Sequence, residues 1–285
     1  MSGAGVLMGE VHQSWRGLLR RPGYLALAVL TLALGVATVT VVFSLLYQAL
    51  LRPLPFPQPE RLVSMGIEIE QGQTGAAPGY YESLKRMQTV ESAGMLMSWA
   101  PNANIAIGER AEVVPALRAD RGFLQTLGLP LAAGRNFDED ENRPNGPQAV
   151  ILSYPFWRSH FDADPATIGR NLQVEGRSVQ IVGVLPAAFQ WPDRFDLLLS
   201  LQPDLADTDL STNQIIIARL KPQVNLAAAA AETHNVLTAL ITNAPSATEE
   251  QREYLRRSPP TALPLQSSVF AQRTGDTLWM FLGAA

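Results

Sequence analysis

Residues 24–51 read YLALAVLTLALGVATVTVVFSLLYQALL, and no charged side chain interrupts them. At about 1.5 Å per residue this run makes a helix of roughly 40 Å, more than the hydrocarbon thickness of about 30 Å. An apolar segment in lipid must satisfy its own backbone, so a helix is the form it takes. A cleaved signal peptide carries a shorter apolar region, about 7–15 residues, ahead of a small-residue cleavage site. The expectation is therefore a membrane-spanning helix over residues 24–52. The hydrophobic fraction of 47% averages this stretch with a fairly polar remainder and conceals it.

Arg16, Arg20 and Arg21 precede the run with only Glu10 opposing them, which sets the N-terminus in the cytoplasm and the chain beyond Arg52 outside. Within residues 1–23, Val11, Trp15, Leu18 and Leu19 share one helical face opposite Glu10, Gln13, Arg16 and Arg20, as in a helix lying in the cytoplasmic interface. Thr31/Gly35, Ala33/Ala37 and Thr40/Ser44 are small residues four apart, candidates for contact with another helix. A second uncharged run from Leu278 to Ala285 reads as the start of a further span over 277–285.

Beyond the membrane segment, Pro53, Pro55, Pro57 and Pro59 predict an extended lead-in. Arg52, Pro53 and Pro55 are the candidates for coupling the span to the outer domain. Residues 61–70 alternate as a strand, Tyr80, Leu84 and Met87 form a helical stripe, and strands are expected near 94–99, 103–107 and 112–118. Phe123, Leu124 and Leu127 mark a short helix; Ala149–Leu152 is a strand, and residues 171–175 and 177–185 a hairpin about Gly176. Residues 196–201 and 214–220 are compact apolar strands. Asn225 is placed to cap a helix with Leu226, Ala230, Thr233, Leu237 and Leu240 on one face, ended by Pro245. The pattern predicts an α+β unit over 53–276, with a β-rich insertion at 119–193 between parts at 53–118 and 194–267.

Several chemistries are excluded or disfavoured. With no cysteine there is no disulfide, redox dithiol or thiolate metal site. Net charge is -4 and lysine occurs only at Lys85 and Lys221, so no basic stripe suits nucleic acid. No phosphate-binding G-x-x-x-x-G-K-[ST] loop is present, so ATP hydrolysis is expected of a partner. Residues 138–142 are acidic, but a calcium loop starting at Asp138 would need Gly where Arg143 stands and Glu where Ala149 stands. A solvated acidic loop is expected there. Ser153 and His160 lack a nucleophile-elbow context, and Tyr154, Phe156 and Trp157 beside them read as packing residues. His234, near Glu232, reads as a surface residue and His12 as part of a polar face. No catalytic, cofactor or metal residue is assigned.

The string Leu32-Ala33-Leu34-Gly35, then Phe43-Ser44 and Leu51-Arg52-Pro53-Leu54-Pro55-Phe56, resembles the opening of MacB/FtsX-like ABC transporter permeases, most of all the duplicated orphan permease (ADOP) branch. Further strings occur in family order: residues 123–128 (FLQTLG), 133–137 (AGRNF), 150–154 (VILSY), Phe156-Trp157, Asp164-Pro165, 168–170 (IGR) and 181–186 (IVGVLP). The resemblance implies an N-terminal transmembrane helix followed by a MacB-like periplasmic core domain, with a porter-like α/β part interrupted by a β-rich insertion. It implies a permease subunit of the bacterial inner membrane, a cytoplasmic ABC ATPase subunit, a second permease unit and a periplasmic adaptor as partners. An FtsX-type regulator of a cell-wall enzyme and a single-span anchored binding module remain open beside it.

Overall fold

The structure, a computed structural model, describes residues 22–46, 54–70, 72–99, 101–189, 194–206, 212–244 and 248–268. The chain divides into two compact units, residues 1–52 and 53–285. In the first, α1 (Pro22–Leu46) is an uninterrupted helix of 25 residues with no charged residue. Its described apolar side chains are exposed all round, Leu30, Leu32 and Leu34 among them. Thr31, Thr38 and Thr40 each donate their hydroxyl to the carbonyl four residues earlier, so these threonine hydroxyls of α1 need no outside partner. Taken on the described residues alone, no helix is long and apolar enough to cross a membrane. Several side chains within α1 lie outside that set. The spanning reading thus rests on the sequence. The interfacial helix expected before Pro22 and the second span expected from 277 lie outside the described residues.

The second unit contains β1 (Leu62–Glu70), β2 (Gln73–Gly75), α2 (Tyr81–Lys85), β3 (Val90–Met97), β4 (Asn102–Ile107), β5 (Arg110–Ala119), α3 (Arg121–Leu127), β6 (Ala133–Gly134), β7 (Ala149–Leu152) and α4 (Tyr154–Phe161). It continues with β8 (Asn171–Val174), β9 (Arg177–Val184), β10 (Leu197–Ser200), β11 (Gln214–Leu220), α5 (Leu226–Thr242), α6 (Glu249–Arg257) and β12 (Pro260–Pro264).

Strands β3, β11, β1 and β12 form an antiparallel sheet in that order. Alternation divides its side chains: Val63, Met65, Met95 and Ile216 pack with Leu84 of α2 and Leu237 of α5, while Leu62, Leu96 and Ile217 pack with Phe123 and Leu127 of α3. Both faces are covered, which is why these strands read as almost continuous apolar runs.

Strands β5, β4, β8, β9, β7 and β10 follow one another by hydrogen bonding, and β10 returns to β5, closing a six-stranded ring. Closure removes the free edges that an open insertion would expose. Strand β5 serves two neighbours in turn: residues 110–115 pair with β4 and residues 116–119 with β10. Ile105, Val114, Leu152, Val174, Ile181 and Leu197 fill the interior, with Phe156 and Trp157 of α4. The ring draws β4 and β5 from before residue 119 and β10 from after residue 193. Helix α3 occupies the seam, sharing one core with the sheet and with Ile151, Val182 and Leu198 of the ring.

Two local expectations are corrected. The buried face of α5 is Ala229, Thr233, Leu237 and Ile241, whereas Leu226 is exposed and Leu240 half-buried. The small Ala229 and Thr233 allow close seating, and Thr233 returns its hydroxyl to the Ala229 carbonyl. Met87 lies beyond α2, which ends at Lys85. Asn225 does cap α5, accepting from the Ala228 amide at 2.8 Å.

Candidate functional site where the chain enters and leaves the sheet

From Leu54 to Gln58, Pro55 and Pro57 keep the chain out of helix and ladder. Phe56 leaves this lead-in to bury its ring, 6.2 Å from that of Phe189, which in turn meets Phe195 at 5.8 Å. Gln58 takes a left-handed conformation, φ 49°, a strain of order 1 kcal/mol for a non-glycine residue.

Two arginines hold that turn. Arg61 donates twice to the Leu220 carbonyl and once to the Gln58 side chain, and pairs with Glu91. Arg219, on β11 and only 7% exposed, donates to the carbonyls of Thr126 at 3.0 Å, Leu127 at 3.2 Å, Pro57 at 2.9 Å and Gln58 at 3.4 Å. It thus serves the C-terminal carbonyls of α3, where the helix dipole favours a cation, and clamps the lead-in to the seam. Burial holds its guanidinium below the usual arginine pKa; Arg61 adds to this, and Glu91 and Glu60 oppose it.

The lead-out lies beside the lead-in. Strand β12 runs antiparallel to β1, with Pro264 opposite Val63 and Leu263 opposite Ser64. The strand that receives the chain and the strand that releases it are therefore neighbours, about 4.8 Å apart. Leu265 shares the core of Phe56 and Leu62, and the Ser64 and Ser268 hydroxyls meet at 2.7 Å while Thr74 donates to Ser64.

Of the residues singled out in the sequence, Thr31, Ala33, Gly35, Ala37 and Thr40 are exposed along α1, and Ser44 is in the same helix. Arg52 and Pro53 lie outside the described residues. Pro55 is an exposed part of the lead-in. Sequence reasoning missed Arg61 and Arg219; the available signal was a lone arginine inside the apolar strand Gln214–Leu220.

The other constellations resolve into structural bonds. Ser153 caps α4 by accepting from the Phe156 amide, and His160 stacks on Phe156 with Nε2 2.9 Å from Glu112. Glu232 accepts from the amides of Gln88 and Thr89, tying α5 to the turn before β3, while His234 is exposed. The acidic loop is not simply solvated: Glu141 is buried, takes two 2.8 Å bonds from Arg135, and exchanges side-chain-to-amide bonds with Asp138. Among the described residues no group of three or more acidic or histidine side chains could hold a metal ion.

The sequence profile described as the MacB-like periplasmic core domain matches residues 25–236. The chain belongs to this family. The MacB/FtsX-like resemblance read from the sequence agrees with it, and the MacB-like membership makes the chain a protein of the ABC-transporter permease type. A crystallised domain named as part of a permease protein of Porphyromonas gingivalis has the same fold at 17% identity and TM-score 0.54, over 74% of this chain and 93% of that one. The periplasmic region of MacB from Actinobacillus actinomycetemcomitans is similar at 14% identity and TM-score 0.50, over 75% of this chain and 92% of its own. No curated protein matches.

Proposed function

We propose that this MacB-like chain is a permease subunit that converts ATP hydrolysis by a separate cytoplasmic ABC ATPase into movement of an extracytoplasmic domain, for export or extraction of a substrate. In this reading α1 crosses the inner membrane with the N-terminus in the cytoplasm, the unit from residue 53 lies on the outer side, and a second permease unit completes the assembly. The observation that carries the reading is the adjacency of β1 and β12. A displacement delivered at the lead-in reaches the sheet through Arg61 and Arg219 rather than through a slack tether, and the lead-out moves with it. The uncharged α1, with its threonine hydroxyls bonded internally, suits a lipid surround, where unpaired polar groups are costly.

The absence of cysteine allows a direct test of sidedness. A single cysteine placed at Val113, which is 62% exposed, is expected to react with a membrane-impermeant maleimide in intact spheroplasts. Reaction only after lysis would overturn the proposed orientation.

Coupling is tested by softening the lead-in. The double substitution Pro55→Gly and Pro57→Gly keeps the carbonyl that Arg219 grips but frees the backbone. ATP-driven distance changes between spin labels at Val113 in paired subunits are expected to shrink at least severalfold, with the ATPase rate of the reconstituted complex largely retained. Unchanged distance changes would remove the lead-in from the mechanism.

A further inference from the structure

Where β5 turns away from β3, the ladder between them is reduced to the pair Leu96 and Ala119, and Asp120 takes over the next position. Its amide donates to the Met95 carbonyl at 2.8 Å, and its Oδ1 accepts from the Met95 amide at 2.8 Å, as a strand partner would. The side chain thus stands in for a strand at the joint between the sheet and the ring. Its other oxygen, Oδ2, lies 2.6 Å from the Tyr81 hydroxyl, and that hydroxyl is also 2.9 Å from the Ala93 carbonyl. Asp120 and Tyr81 are 2% and 3% exposed.

A count of hydrogens shows what this arrangement lacks. With Asp120 ionised, the Tyr81 hydroxyl has one hydrogen and two acceptors, and can serve one at a time. A proton on Oδ2 supplies the second hydrogen: Asp120 then donates to Tyr81, and Tyr81 donates to Ala93. The backbone makes room for this chain. A Cβ at Gly122 would stand 2.3 Å from the Ala93 carbonyl and 2.7 Å from the Tyr81 hydroxyl, and one at Gly94 would stand 2.4 Å from the backbone of Phe123.

We propose that Asp120 and Tyr81 form a proton-operated latch at this seam: uptake of one solvent proton by Asp120 completes the chain Asp120–Tyr81–Ala93 and holds α3 and the end of β5 more firmly on β3. The groups acting on Asp120 are Tyr81 from α2, the Met95 amide from β3 and the amides of Gly122 and Phe123 from α3, with Glu82 acting on Tyr81; no cation of the described residues is among them. Burial pushes the Asp120 carboxyl up to about 6 against those hydrogen bonds, and burial followed by the Asp120 charge pushes the Tyr81 hydroxyl far above the usual phenol range. An unfolded aspartate loses its proton near pH 4. Between about 4 and 6 Asp120 therefore holds more proton in the folded chain than in the unfolded one, so its contribution to stability rises as pH falls through that window and flattens below it.

The test uses the full chain in detergent micelles, with the aspartate carboxyl carbons labelled with 13C and the signal of Asp120 identified by its loss in Asp120→Asn. The expected results are a titration midpoint near 6 and a thermal unfolding midpoint that rises as pH is lowered from 8 to 5. Asp120→Asn can donate to Tyr81 permanently, so it should lose the pH dependence in that window and resemble the protonated wild type. Tyr81→Phe breaks the chain to Ala93, so the rise in thermal midpoint between pH 8 and 5 should shrink. An Asp120 midpoint in the ordinary carboxylate range, an Asp120→Asn variant with the wild-type pH slope, or a low-pH rise kept in full by Tyr81→Phe would each overturn the latch. A purely structural cap at Asp120 would lower stability in Asp120→Asn equally at every pH.

Discussion

Arg219→Ala is expected to destabilise the second unit by about 3 kcal/mol or more, the cost of leaving several buried carbonyls without a donor at roughly 1–3 kcal/mol each. The Thr126 and Leu127 carbonyls end α3, and the Pro57 carbonyl sits beside the strained Gln58, so one substitution frays a helix and releases the lead-in together. Arg219→Lys should recover less than half of the loss, because a single ammonium cannot spread over carbonyls that the planar guanidinium reaches from its separate nitrogens. Urea unfolding in micelles, followed by tryptophan fluorescence, measures both. A loss below about 1 kcal/mol for Arg219→Ala would mean that water replaces the guanidinium readily and that the clamp is not rigid.

The second large effect is expected at Gly94. An added methyl there meets backbone atoms of Phe123, which have no rotamer with which to yield, so α3 must lift from β3. Gly94→Ala should cost about 3 kcal/mol, at the upper end of overpacking effects, and should raise amide exchange at Met95 and Asp120, whose amides are bonded across the same seam. Gly108→Ala is the control: its φ is +62° but nothing lies within 4 Å of the added carbon, so only a backbone cost of about 1–2 kcal/mol is expected, without the exchange signature. Equal costs and equal exchange at the two positions would show that close approach of α3 plays no part.

Both sites also mark where sequence reading stopped. The strand β11 was legible as an apolar run, but the partners of Arg219 come from residues 57–58 and 126–127, far apart along the chain. Nothing in the local sequence marks Asp120, which lies between β5 and α3. Its character depends on Tyr81 and Met95 arriving from two other elements. Strand β12 escaped notice because Pro260 and Pro264 argue against a strand; they are tolerated because, among the described residues, β12 pairs only with β1 and lies at the sheet edge.

Local periodicity, turn residues and capping chemistry were enough to identify the uncharged helix, most strands, the hairpin of β8 and β9 and the cap at Asn225, because each depends on neighbours a few positions away. The family strings, read in order, were sufficient for the MacB-like assignment. Closure of the ring was decided in three dimensions, since the parallel pairings β5–β10 and β7–β9 join strands whose residues carry no mark of their partner. The same holds for the adjacency of β1 and β12 and for the Arg219 clamp: burial removes water as a competing hydrogen-bond partner, and only the folded chain determines which group takes its place.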